Sequence, residues 1–286
     1  MICNKYELLE QIGQGAFSQI FKGRNIRTNE LIAIKIEPKT ATIKLLQNET
    51  RIYKYLNELN ETSFHHDRTK NGLNETRYQA THVPTMKWFG VDSTNYYMVI
   101  SLLGKSLESL KREQPTGRIS LSTTLHIGIQ MVRLLKFIHA SQLIHRDVKP
   151  DNFLFGIGAA EQQLHIIDFG FCKKYNSNMF PSKTSNIIGT PKFASISAHE
   201  LNELSRQDDL ESVGYILIYL FMGELAWDNI VDNNTIKIMK LHMIEFEHTE
   251  IPPLFINYLI NVRKIAFHET PNYEKLLSNL IHDANN

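Results

Sequence analysis

Residues 144–154 read Ile-His-Arg-Asp-Val-Lys-Pro-Asp-Asn-Phe-Leu, and three of them stand at spacings that suit phosphoryl transfer. That reaction brings a hydroxyl nucleophile to a nucleotide phosphate and must neutralise the charge that gathers there. An aspartate accepts the hydroxyl proton, a lysine meets the phosphate and an asparagine holds a metal ion. Asp147, Lys149 and Asn152 meet those needs in order. Residues 166–170, Ile-Ile-Asp-Phe-Gly, follow after a short interval. Their apolar start predicts a strand that delivers Asp168 to a second metal position, with Gly170 letting the chain turn away. Ala33-Ile34-Lys35 predicts a strand lysine that pairs with the α- and β-phosphates. Either short piece alone is a common tripeptide. Together with the long stretch, in this order, they leave little room for coincidence.

Lys35 needs a carboxylate on a helix to hold it. The tetrapeptide Asn-Glu-Thr-Arg occurs twice, at 48–51 and 74–77, and offers Glu49 and Glu75. Glu49 lies in an amphipathic segment directly after the third predicted strand, whereas Glu75 lies in a polar stretch without helical period, so Glu49 is the expected partner. Ahead of Lys35, the run Ile12, Gly13, Gln14, Gly15, Ala16, Phe17, Ser18, Gln19, Ile20 ends one strand and begins the next. Its glycines let backbone N–H groups approach a phosphate with no Cβ in the way. Ser18 stands where a third glycine is usual; it stiffens the loop and removes no catalytic group. Ile20 and Ala33 are expected to roof an adenine and Leu154 to floor it, with Ile100 to Leu103 joining two lobes.

The elements that must position these residues are legible in outline. Three β segments cover 6–37, separated by Gly13–Gly15 and by the turn 25–30. From 41 to 58 the period becomes helical, with Ile43, Leu46, Ile52, Tyr53 and Leu56 on one face. From about 57 to 80 the chain turns polar and reads as an exposed insertion. Its His65, His66 and Asp67 read as solvated rather than metal-binding, because adjacent histidines on an extended chain point apart. Asn95–Gly104 predicts a strong strand, and helices are predicted at 121–140, 208–222, 234–245, 254–266 and 272–282. A β-rich first part and an α-rich second part predict an α+β fold of two lobes.

The bulk properties fit this reading. The 286 residues suffice for one large domain or two lobes around a cleft, and 42% hydrophobic with 21% charged residues is an ordinary globular balance. Thirty-one Lys and Arg against thirty Asp and Glu leave a formal charge of +1, so nothing asks for nucleic acid or an anionic membrane as partner. Cys3 and Cys172 make neither a disulfide framework nor a zinc site, and a reducing interior is expected. Cys172 is read as a small packed side chain. No secretory h-region opens the chain. The Asn-x-Thr triplets at Asn48, Asn60, Asn74 and Asn233 are therefore read as chance matches. The apolar run 213–223 is too short to span a bilayer.

With these residues in hand, the chain resembles the protein kinases, and within them the casein kinase 1 family. The stretches that carry the likeness are LLGKSLESL (102–110), HRDVKPDNFL (145–154), IIDFGFCKKY (166–175), GTPKFASIS (189–197), SRQDDLESVGYILIYL (205–220) with Trp227 following, and FHETPNYEKL (267–276). The likeness as a whole covers about residues 6–280, and the Ser-Ile-Ser ending resembles that family's replacement for Ala-Pro-Glu. The resemblance implies a bilobal protein-kinase fold over 6–282. The N-lobe would cover about 6–101, β-rich with one main helix, and an α-helical C-lobe about 105–282; no C-terminal regulatory tail is expected. It implies an ATP- and Mg2+-dependent Ser/Thr kinase, monomeric, cytoplasmic or nuclear, acting on protein substrates with acidic or already phosphorylated residues upstream. Leu103 would line the nucleotide, Asn152 and Asp168 would hold the metal, and Asp209 would cap the backbone of the catalytic loop, the plainer reading being a helix N-cap. Thr190 and Lys192 would line the substrate groove. Here Pro191, Lys192 and Phe193 replace the family's Ala-Arg-Tyr, so Lys192 keeps a charge without the bidentate fork. After Trp227 the family's basic run is reduced to Lys237 and Lys240. A scaffold that binds without transferring phosphate and a small-molecule kinase remain as alternatives.

Overall fold

The structure, a computed structural model, describes residues 2–67, 83–176, 180–245 and 250–285. The chain divides into two compact units, Met1–Gly104 with Leu154–Phe171, and Lys105–Phe153 with Cys172–Asn286.

The first unit is built on a five-stranded antiparallel sheet of order β1-β2-β3-β5-β4. Its strands are β1 (Tyr6–Gln14), β2 (Gln19–Asn25), β3 (Leu31–Pro38), β4 (Met86–Val91) and β5 (Asn95–Ser101). Period-two alternation on β3 divides its side chains between the two faces. Ile32 and Ile34 pack with Ile2, Tyr6, Tyr97 and Val99 in one core cluster, against which Ile36 and Trp88 also rest. Ala33, Lys35 and Glu37 therefore face the other way.

That second face meets α1 (Leu46–Asp67), which packs against β4 and β5 and buries Leu46, Tyr53 and Leu56 completely. The helix begins at Leu46 because β3 caps it. A buried oxygen of Glu37 accepts from the N–H groups of Leu45 at 2.9 Å and Leu46 at 3.0 Å, where the helix would otherwise leave donors without partners. Two expectations change here. Ile43 precedes the helix and is exposed, and the predicted loop at 57 is helical through Asp67. Asn, Thr, Ser, His and Asp dominate that stretch and are weak helix formers, so its composition reads as a loop although the helix continues through it. Residues 68–80 of the expected insertion, with Glu75, lie outside the described residues.

The second unit is helical. Its elements are α2 (Leu107–Arg112), α3 (Leu121–Ala140), α4 (Ile196–His199), α5 (Arg206–Met222), α6 (Asn233–Glu245), α7 (Pro253–Arg263) and α8 (Tyr273–Asn285). α3 packs on α5 and α8, and α5 on α7. α5 is buried from Arg206 to Leu220, which accounts for an apolar run without a strong amphipathic stripe. It starts at Arg206, two residues before the predicted start. Ser205 is its N-cap, in a capping box with Asp208, so the N-cap reading of Asp209 is set aside. Short pieces complete the chain: β6 (Leu143–Ile144), β7 (Phe153–Phe155), β8 (Leu164–Ile166) and β9 (Lys173–Lys174), with β6 paired to β9 and β7 to β8. Among the described residues, no helix is long and apolar enough to cross a membrane.

Candidate active site

In the first unit, Lys35, Glu49 and Asp168 come together. Nζ of Lys35 lies 2.7 Å from Oε2 of Glu49 and 3.0 Å from Oδ1 of Asp168. The Lys35 side chain is 14% exposed, that of Glu49 2% and that of Asp168 30%, so Asp168 is the open side of the cluster. Burial alone would lower the pKa of Lys35, but the charges of Asp168 and Glu49 and their hydrogen bonds overcome it and raise it, keeping the ammonium charged. Burial also pushes Glu49 up to about 7, against the pull of Lys35.

Three local devices fix this cluster. Lys35 stands on β3 opposite Ile20 of β2 and Met98 of β5. Glu49 stands on the first turn of α1, next to the Glu37 cap. Asn48 donates from Nδ2 to the carbonyl of Gly170 at 3.0 Å, tying the segment after Asp168 to the same turn. Phe169 is fully buried edge-on to Tyr53, 5.0 Å between ring centroids. Asp168 itself adopts φ 65°, a left-handed conformation uncommon for a residue with a Cβ, just before the anchored Phe169 and Gly170.

The remaining nucleotide candidates of this unit lie on or beside the same sheet. Ile12, Gly13 and Gln14 end β1, Gln19 and Ile20 begin β2, and Gly13 pairs with Ile20. Between them Gly15, Ala16, Phe17 and Ser18 make the turn, closed by Gly15 N donating to Ser18 O at 2.8 Å. A Cβ added at Gly15 would stand 3.0 Å from Oγ of the buried Ser18, so the turn keeps bare backbone where a phosphate could approach. Ala33 is buried opposite Ile100. Gly104 N donates to Phe155 O at 2.8 Å, which brings the stretch after Leu103 beside the stretch after Leu154.

In the second unit, Asp147, Lys149, Asn152 and Thr190 come together. The buried carboxylate of Asp147 accepts from the Thr190 hydroxyl at 2.8 Å and lies 2.8 Å from Nζ of Lys149, which itself donates to Thr190 Oγ1 at 3.2 Å. Asn152 donates from Nδ2 to the carbonyl of Asp147 at 2.8 Å, so its carboxamide oxygen is the side left for a cation. Thr190 reaches Asp147 because Gly189 precedes it. Its φ is 87°, and a Cβ there would stand 2.5 Å from the Arg146 carbonyl.

Asp209 caps the loop beneath these groups, as the resemblance implies. Oδ2 accepts from His145 N and Oδ1 from Arg146 N, both at 2.8 Å, and His139 Nε2 lies 2.9 Å from Oδ2. Burial would raise the Asp209 carboxyl, but its bond to His139 and the neighbouring histidines hold it below the usual range. Cys172 is buried, and burial pushes its thiol up to about 12, which makes it a packed side chain and not a nucleophile at neutral pH.

Lys192, expected to line the substrate groove, has an ion-pair partner of its own. Its Nζ lies 2.8 Å from Oδ2 of Asp228 and 3.9 Å from the centre of the Tyr219 ring. Three positioning residues had no motif to announce them. Glu37 had a faint signal, as an acidic residue two after Lys35 on the same strand face. Asp228 follows Trp227, whose indole N–H donates to the Lys192 carbonyl at 2.8 Å. Lys240 is fully buried and donates to the carbonyls of Pro191 at 2.8 Å and Ala194 at 2.6 Å. Ser195 explains the Ser-Ile-Ser ending: it caps α4 and donates to the buried Asp208 at 2.6 Å. A family model described as Protein kinase domain matches residues 6–285.

Proposed function

Because the chain belongs to the protein kinase domain family and has its bilobal α+β fold, we propose that it phosphorylates serine and threonine residues of proteins with ATP, as a casein kinase 1-like enzyme. The observation that carries the reading is the aliphatic hydroxyl of Thr190 donating to Asp147 at 2.8 Å with Lys149 beside both. A substrate serine or threonine offers the same group.

In this reading Asp147 accepts the proton of the attacking hydroxyl and aligns its oxygen with the phosphorus. Lys149 stabilises the phosphoryl group as charge moves onto its oxygens. Lys35, steadied by Glu49, orients the α- and β-phosphates, and the turn Gly13–Ser18 covers them with backbone. Ile20, Ala33, Leu103 and Leu154 enclose the adenine. The carboxamide oxygen of Asn152 and the carboxylate of Asp168 are hard oxygen donors that fit magnesium, which when bound neutralises phosphate charge. The preference for acidic or phosphorylated sites that the resemblance implies would rest on Lys192, and the Asp228 partner weighs against it.

The test is transfer of label from γ-labelled ATP to a casein-like protein, followed by phosphoamino-acid analysis. Labelled serine or threonine, lost in Asp147→Asn, is expected. Label confined to tyrosine, or to free sugars and aminoglycosides, would replace the proposal with another kinase class.

A further inference from the structure

The segment from Thr190 to Ala194 is held on several sides. Thr190 is bonded to Asp147, and Lys240 holds the carbonyls of Pro191 and Ala194. Trp227 holds the carbonyl of Lys192, and its ring is buried edge-on to Tyr215, 5.5 Å between centroids. Lys192 thus stands two residues from the hydroxyl that touches Asp147, on backbone that cannot easily swing. It is the cation that residues flanking a substrate hydroxyl would meet.

Its charge already has partners. Asp228 pairs with it at 2.8 Å, and the two side chains are only 28% and 19% exposed. The Tyr219 face lies 3.9 Å beneath the ammonium. Oδ1 of Asp228 is buried without a hydrogen-bond partner, so the carboxylate faces Lys192 through Oδ2 alone. A substrate phosphate or carboxylate would have to displace Asp228, leaving its carboxylate unpaired in a half-buried place. We propose that Asp228 is a specificity-determining residue. It neutralises Lys192 from within, so that the enzyme takes serine and threonine sites without an acidic or phosphorylated residue beside them. The inference rests on the kinase reading above and reverses the preference that the family resemblance implies.

The experiment uses the whole chain and one serine peptide in three forms, with alanine, aspartate or phosphoserine upstream. For the wild type, kcat/KM for the phosphoserine and alanine forms should agree within about threefold. Asp228→Asn should raise the phosphoserine-to-alanine ratio about tenfold, the worth of one partly exposed charge-assisted contact. The double variant with Lys192→Met should return it. Anisotropy binding of the labelled phosphoserine and alanine peptides reads the same ratio without turnover. A wild-type ratio well above ten that Lys192→Met abolishes would overturn the proposal. So would an unchanged ratio in an Asp228→Asn protein that melts like the wild type. Should Asp228→Asn fail to fold, Lys192→Met alone must leave the wild-type ratio unmoved, and a fall would overturn the proposal. Absence of transfer to every peptide would instead count against the kinase reading, while the binding ratio still decides the role of Asp228.

Discussion

Lys35 and Lys240 are both enclosed lysines, one in each unit, and they are held in opposite ways. Lys35 meets two carboxylates, Glu49 and Asp168, the second of them 30% exposed. Lys240 donates to two backbone carbonyls and lies 4.6 Å from the Tyr215 ring and 5.3 Å from the Trp227 ring. Burial lowers Lys240 well below the ordinary lysine value and the charge of Glu211 offsets it only in part, whereas the carboxylates raise Lys35. A cation shared between carboxylates with one open side can take a phosphate in place of one partner. A cation enclosed by carbonyls and rings has its bonds fixed by the backbone and serves to hold a loop. The same residue type is thus chemical in one unit and architectural in the other.

The largest expected effect lies on the chemical side. Lys35→Met should lower phosphate transfer by about 10²–10³-fold or more, as removal of a preorganised charge does. The folded state should persist, with Glu49 then protonated in its buried place. Circular dichroism with a single-turnover assay checks both halves, and wild-type turnover in this variant would refute the assignment.

Lys240→Met should behave the other way round. It leaves the Ala194 carbonyl without its Lys240 donor, while the Pro191 carbonyl keeps His199 Nε2 at 3.2 Å. The loss costs about 1–3 kcal/mol of stability, the usual cost of an unsatisfied buried group. Urea denaturation measures this. The kinetic loss should fall on KM for the peptide and spare KM for ATP. A stable variant with impaired ATP binding would erase the distinction between the two lysines.

A smaller, pH-dependent effect sharpens the same contrast. His199 Nε2 lies 3.1 Å from Nζ of Lys240. Burial, then the charges of Lys240 and Lys237, lower its pKa from 6.5 to about 4, against the pull of the Pro191 carbonyl. The folded state therefore binds fewer protons than the unfolded chain between those values. Its contribution is full above about pH 6.5 and is lost as pH falls toward about 4. His199→Gln should flatten the Tm profile over that window, and an equally steep profile would place the acid sensitivity elsewhere.

The chemical lysine was legible in the sequence and the architectural one was not. Lys35 sits in a tripeptide on a strand, and its helical partner could be chosen because Glu49 has an amphipathic neighbourhood and Glu75 has none. Asp147, Lys149, Asn152 and Asp168 were legible because phosphoryl transfer fixes residue types at fixed spacings. Lys240 looked like half of a depleted basic run. Its burial depends on carbonyls some 46 residues away in the chain, and backbone acceptors have no sequence signature. The pairing of Lys192 with Asp228 is hidden because the two side chains stand 36 residues apart in the chain with no motif linking them. In the fold, β1 to β3, β5 and the long helices followed their periods. β4 went unread because its six residues, Met86–Val91, include Lys87 and Gly90 and end in a half-exposed pattern. The end of α1 was misplaced because its last residues, rich in Asn, Thr, Ser, His and Asp, have the low helix propensity of a loop.

The central claim is that the Asp147 carboxylate receives a serine or threonine hydroxyl. The direct measurement is single-turnover transfer from γ-labelled ATP to a casein-like protein by the wild type and by Asp147→Asn, with both proteins shown to melt alike. The account predicts phosphoserine and phosphothreonine from the wild type and a loss of about a thousandfold or more in the variant. Equal transfer by the two proteins, or none by the wild type, would contradict it.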